Sequence, residues 1–159
     1  MITLGIDPGI HGGLALVCDR SVIGLWRMPV LSRRVNGSTR DRIDAAALFA
    51  LLELHRTPNT VVEAVGGISG ESASGAFVFG EATGLLLGML AALGVAPSRV
   101  PADTWARGVG IPGGLGKPAR CKHATLLFPD RADAFKGPHA DGVADAALIA
   151  VYAQRLFQN

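Results

Sequence analysis

The sequence predicts a single α/β domain: a five-stranded mixed sheet flanked by helices. Three observations predict it. The opening residues carry short apolar runs joined by tight turns, the pattern of an antiparallel meander. Beyond residue 44, helical and strand-like segments alternate. Finally, 159 residues, 49% hydrophobic and 18% charged, suit one core, exclude disorder for most of the length and leave no room for a second ordinary domain.

The elements follow in order. Ile2, Leu4 and Ile6 alternate with Thr3 and Gly5 in a strand that ends at Asp7-Pro8-Gly9. Residues 12–17 read as its return strand and 22–26 as a third. Residues 31–43 hold Arg33, Arg34, Arg40 and Arg42 among turn-forming residues, which predicts a mobile, exposed loop. Asp44 caps a helix through about His55, with Leu48, Leu51 and Leu52 on one face. Residues 60–65 read as a buried strand with Glu63 inside it. A glycine- and serine-rich loop, 66–75, leads into an apolar helix over about 76–93. Residues 95–101 give the fifth strand and 102–107 a short helix. After a glycine-rich loop, 108–116, helices follow over about 118–127 and 142–157, separated by a polar stretch.

The formal net charge of +2 permits a polyanionic partner without demanding one. Cys18 and Cys121 make no disulfide framework and show no metal spacing, so a reducing cytosol is expected. No secretory leader is read at the start of the sequence. The longest uncharged run, residues 82–98, falls short of the roughly 20 apolar residues of a spanning helix, so it predicts a buried helix and turn, with no membrane. Glycine is abundant, 21 residues, which places close backbone approaches or ligand contacts somewhere in the fold.

Four carboxylates interrupt apolar segments. Asp7 ends the first strand, Glu63 lies inside the fourth, and Asp141 and Asp145 flank the start of the last helix, one turn apart. Carboxylates are rarely buried unpaired. Oxygen-only ligands from several elements suit hard cations such as Mg²⁺ or Mn²⁺. Taken singly, each has a plain reading: Asp7 a turn residue, Glu63 an acid on an edge strand, Asp141 an N-cap and Asp145 a first-turn acid. A strand, an aspartate and the glycines Gly9, Gly12 and Gly13 also open the actin-like and sugar-kinase ATPases. Those folds need roughly twice this length, and no nucleotide cofactor is expected.

The chain resembles the RuvC-type Holliday junction resolvases, of the ribonuclease H-like fold. The matching segments are Gly5-Ile6-Asp7-Pro8-Gly9, Val62-Glu63-Ala64, residues 79–84 (Phe-Gly-Glu-Ala-Thr-Gly) and residues 141–150 (Asp-Gly-Val-Ala-Asp-Ala-Ala-Leu-Ile-Ala). Residues 101–105 (Pro-Ala-Asp-Thr-Trp) and 126–129 (Leu-Leu-Phe-Pro) look closest to the phage and chloroplast branch. The resemblance covers nearly the whole chain, in order. It implies a five-stranded mixed sheet, its first three strands antiparallel, with helices on both faces. It also implies a homodimer that cuts two symmetric strands of a four-way DNA junction, leaving 5′-phosphate nicks. A cytoplasmic protein of bacterial or phage origin is expected, with an organellar source left open.

Carried over residue by residue, the resemblance makes Asp7, Glu63, Asp141 and Asp145 the metal-binding and catalytic cluster. Phosphodiester hydrolysis at such a cluster is served by two divalent ions, Mg²⁺ with Mn²⁺ as substitute. Two departures matter. The bacterial branch spaces its last two acids three apart, whereas Asp145 follows Asp141 by four, which brings in His139 as a stand-in or neighbouring group. The bacterial branch also has an aromatic soon after its glutamate, credited with wedging the junction; here the only candidates are Ile68 and Phe77.

Lys117 matches a family lysine near the scissile phosphate, and Arg120 and Lys122 follow it on one helix. Arg33 and Arg34, with Arg40 and Arg42, make a second basic cluster for DNA backbone, diluted by Asp41 and Asp44. Trp26 and Trp105 read as packing residues. Gly80, Gly84, Gly88 and Ala92 place small residues on one helical face, for close packing onto the sheet or across a dimer axis. Two other functions remain open: a related nuclease for other branched DNA or RNA–DNA hybrids, and a catalytically weak junction-binding module.

Overall fold

The computed structural model describes residues 1–35, 37–65 and 72–158. Strands β1 (Ile2–Asp7), β2 (Gly13–Cys18) and β3 (Ser21–Arg27) form the antiparallel meander that the apolar alternation predicts. Next come a hairpin, β4 (Val30–Val35) and β5 (Ser38–Ile43), then α1 (Ala45–His55) and β6 (Thr60–Glu63). Helix α2 (Ala73–Ala92), β7 (Ser98–Val100), α3 (Ala102–Gly108), α4 (Lys117–Leu127) and α5 (Ala140–Gln158) complete the chain, with a short 3-10 turn at Pro129–Phe135. The main sheet runs β3-β2-β1-β6-β7, with β6 parallel to both β1 and β7.

Period-two alternation sorts the core into two layers. Leu4, Ile6, Leu14, Leu16 and Val62 face α1 and α2, where Leu48, Leu52, Leu86 and Leu90 complete one cluster. Ala15, Val17 and Val61 face the other way, toward Trp105 of α3, Ala124 of α4 and the alanine-rich side of α5. On that side α5 lies directly on β1. A Cβ on Gly5 would collide with the carbonyl of Ala146 and the amide of Ala150, so only glycine lets the two backbones meet. Thr3 ties the same strand to the helix by donating to the Ala150 carbonyl at 2.9 Å.

The structure corrects the loop expected at 31–43. These residues form a two-stranded antiparallel sheet of their own, with Arg33 opposite Arg40 and Arg34 opposite Thr39. Both faces are largely exposed, so no apolar alternation announces the strands. The sequence signal was the Asn36-Gly37 dipeptide, a pair favoured in tight hairpin turns. Gly37 has φ of +79°, as such a turn requires.

Helix α2 lies close to the expected 76–93 and takes in Glu81, which Arg42 pairs at 2.9 Å; what departs from expectation is its partial exposure. By length and composition it could cross a membrane, and only part of it is buried. Leu86 and Leu90 enter the core, while among the described residues nothing beyond the helix's own backbone would come within 4 Å of a Cβ at Gly80, Gly84 or Gly88. That glycine face therefore does not pack on the sheet.

Helix α1 starts where Asp44 predicts: its carboxylate accepts from the Ala47 amide at 3.1 Å. Replacing Asp44 by Ala is expected to cost about 1 kcal/mol. Thermal denaturation should show a Tm lower by roughly 2–4 °C in a chain of this size.

Candidate active site

Two parallel strands end side by side with their acids. Ile6 of β1 is in register with Val62 of β6, so Asp7 and Glu63 occupy the next positions at the C-terminal end of the pair. Ligand sites in open α/β sheets form at such strand ends. Both residues share the strand parity of Gly5 and Val61, which aims them at the α5 side. There α5 supplies Asp141 in its first turn and Asp145 one turn on, the latter 5% exposed. The four carboxylates come from three elements and influence one another electrostatically.

Two cations of α4 face the acids of α5. Lys117 Nζ lies 2.5 Å from Asp141 and Arg120 Nη1 lies 2.7 Å from Asp145. The spacing i, i+3 on α4 meets i, i+4 on α5, so the two pairs form successive rungs between the helices. Trp105 supports the same cluster from α3. Fully buried, it donates its indole N–H to Glu63 Oε2 at 3.1 Å, and its ring faces the Arg120 guanidinium 5.2 Å away. One side chain thus links Glu63 on the sheet to the Arg120–Asp145 pair on the helices.

The electrostatics record the crowding. Burial, then the neighbouring Asp7 charge, pushes Glu63 up to about 7 despite the Trp105 hydrogen bond. Burial pushes Asp145 up to about 6, against the pull of Arg120. Asp7 is raised too, chiefly by burial, although the Gly9 amide donates to it at 3.3 Å. Asp141 moves the other way: burial opposes the shift, but the Lys117 hydrogen bond and charge hold it below the ordinary carboxylate range.

This donor set fits a hard divalent cation. It offers only carboxylate oxygens, and Asp145 Oδ1 is a buried acceptor without a hydrogen-bond partner among the described residues. Asp7, Glu63 and Asp145 carry charge that burial disfavours, which a bound cation would offset. Among the described residues no three of these side chains already converge on a metal position. Lys117 and Arg120 supply the charge compensation instead.

His139 is not among the acids. Its ring stacks on that of His11, from the turn after Asp7, with centroids 4.1 Å apart and planes 11° from parallel. His139 has φ of +58°, an uncommon conformation for a residue with a Cβ, at the entry to α5. Of the basic residues named from sequence, Lys117 and Arg120 join the cluster as ion-pair partners. Lys122 instead lines a groove with Leu115, Ala119 and Leu126 on another side of α4. Arg33 and Arg34 lie on the hairpin. Phe77 stands 67% exposed on α2, and Ile68 lies outside the described residues. Sequence reasoning missed the roles of Trp105 and His11; the only signal for Trp105 was its place in a segment resembling the resolvases.

No known family pattern and no curated protein matches this sequence. Solved structures do match. One is a Thermus thermophilus RuvC structure, at TM-score 0.59 and 18% identity, covering 98% of this chain and 96% of that one. Another is T. thermophilus RuvC in complex with Holliday junction substrate, at TM-score 0.66 and 18% identity, covering 99% of this chain and 94% of that one. Over essentially its whole length, the chain has the ribonuclease H-like fold of RuvC.

Proposed function

We propose that the chain is a structure-selective endonuclease that resolves four-way DNA junctions by paired symmetric nicks. One observation carries the reading: on a RuvC fold, Asp7 and Glu63 at adjacent strand ends face Asp141 and Asp145 of α5. Asp7, Glu63, Asp141 and Asp145 would hold two divalent ions, Mg²⁺ or Mn²⁺, which when bound supply charge neutralisation at the phosphate and activation of a water. Lys117, 71% exposed, stands at the edge of the cluster, where it can meet a DNA phosphate. Arg120 fixes the orientation of Asp145, and Trp105 that of Glu63.

The exposed face of α2, with Phe77, Gly80, Gly84 and Gly88, is proposed as the homodimer contact. A two-fold dimer presents two sites to a two-fold symmetric junction. The unpaired cysteines Cys18 and Cys121 suit the reducing cytoplasm proposed as its compartment.

The test is incision of a fixed four-way junction against linear duplex, with Mg²⁺ and with EDTA. Paired nicks that need Mg²⁺, with duplex intact, are expected. The two ion pairs on Asp141 and Asp145 favour a second reading, a junction-binding module with little hydrolysis. Tight junction binding with no nicks in Mg²⁺ or Mn²⁺ would select it.

Trp105→Phe keeps a ring under Arg120 and removes the N–H that holds Glu63. Mn²⁺ affinity, read by titration calorimetry, is expected to fall about tenfold, the usual scale for losing a group that orients a metal ligand. Unchanged affinity in a folded variant would return Trp105 to a packing role.

A further inference from the structure

We propose that the hairpin β4–β5 is an arm that grips the phosphate backbone of a DNA duplex running away from the active site, through Arg33 and Arg40. The proposal rests on the nuclease reading and says where the DNA beyond the cut is held.

Register sorts the hairpin's charges by face. Arg33 lies opposite Arg40 and Leu31 opposite Arg42, so these share one face; Ser32 opposite Asp41 and Arg34 opposite Thr39 share the other. The hairpin's own acid, Asp41, accepts from the Ser32 hydroxyl at 2.5 Å on that second face. On the first face Arg42 is engaged by Glu81 of α2. Arg33 and Arg40 therefore face each other, exposed, with no ion pair among the described residues. Like charges directly opposite destabilise a strand pair, a cost that a bound anion removes. Arg34 points away from them, so it is not part of the grip.

The arm is rooted at the active site. The Met28 amide donates to the Gly12 carbonyl at 3.0 Å, in the turn that follows Asp7, and the Asp44 amide closes the base on the Pro29 carbonyl at 2.9 Å. Ile10 of that turn shares a small pocket with Arg42, Ile43 and Glu81. What projects from this root is a narrow ribbon whose first face is dominated by guanidinium groups. Guanidinium forks match phosphate oxygens in pairs, and a two-stranded ribbon fits the width of a DNA groove. These features favour a nucleic-acid backbone over a protein partner, which would want apolar area.

The experiment compares the full-length chain with Arg33→Gln/Arg40→Gln by fluorescence anisotropy on a fixed four-way junction and on linear duplex, across a KCl series. Losing two phosphate contacts should lower the slope of log affinity against log salt by about 1.8 and weaken Kd on the order of 50-fold near 0.1 M salt. The loss should be alike on junction and duplex, because backbone contacts carry no sequence or branch information. Arg33→Lys/Arg40→Lys should retain the slope. Circular dichroism of the glutamine variant should match the native chain, since both side chains are exposed. An unchanged slope and Kd, with the native chain still binding and cutting junctions, would overturn the arm and leave the nuclease reading intact. Failure of the native chain to bind or cut junctions would overturn the nuclease reading itself. Phosphatidylserine vesicles form the last arm of the experiment: vesicle binding lost in the glutamine variant while junction affinity holds would assign the surface to lipid and overturn the proposal.

Discussion

Asp7→Asn should leave the chain folded and still able to bind a four-way junction, while single-turnover cleavage falls at least 1,000-fold, about 4 kcal/mol of barrier. Asn keeps the size of the side chain and an oxygen for the Gly9 amide, so the turn that follows β1 survives. What disappears is the charge at the end of the most enclosed strand, between Glu63 on β6 and the two acids of α5. Among the described residues no other carboxylate sits where it could replace this one, because β1 is the central strand and its neighbours are already committed. The variant should also bring Glu63 down toward the ordinary carboxylate range, since the Asp7 charge is the second cause of its elevation. Cleavage within tenfold of the native rate would remove the cluster from the chemistry.

Glu63→Gln is expected to do two things at once: abolish cleavage and, without metal, raise Tm by roughly 3–6 °C at pH 8. Glu63 is raised from 4.5 to about 7 in the folded chain, by burial and the Asp7 charge. Below about pH 4.5 folded and unfolded chains are both protonated there, and the residue costs nothing. As pH rises from 4.5 to 7 the unfolded chain releases its proton first. The folded state then binds more protons, so stability falls with rising pH. Above about 7 the whole cost is present, and glutamine removes it. The Tm gain should therefore vanish near pH 4.5. Asp145, raised to about 6, adds a loss of the same sign over a lower window. Excess Mg²⁺ should reverse the order by stabilising the native chain more than the variant. Melting curves at pH 5 and 8, with and without Mg²⁺, check all three statements, and a Glu63→Gln variant less stable than native at pH 8 in EDTA would contradict the strain.

Much of this arrangement was legible because strand periodicity is a local property. Ile2, Leu4 and Ile6 announce β1, and an acid ending each of two apolar runs stands out against them. Asp141 and Asp145 were legible as a one-turn pair. The hairpin was not, because strands solvated on both faces lose the alternation that marks a strand, and its arginines resemble those of a loop. The partnership of Lys117 and Arg120 with the α5 acids was hidden for another reason. It depends on which side of α4 meets α5, a fact of packing between helices that neither helix encodes alone. Trp105 likewise read as filler, since its partners Glu63 and Arg120 lie 42 and 15 positions away in opposite directions along the chain. The dimer axis and the sheet were equal candidates for the α2 glycines until their open surroundings removed the sheet.

The seating of α5 on β1 at Gly5 sets when the acid cluster is assembled during synthesis. Asp7 emerges from the ribosome early, and Asp145 follows 138 residues later; at ordinary elongation speeds that is on the order of ten seconds. Until the helix docks, the central strand has no partner on one side and half of the acid cluster does not exist. On the proposed nuclease reading, a nascent or interrupted chain cannot cut, and competence arrives only when α5 docks on β1, where Thr3 meets Ala150 from 147 residues away.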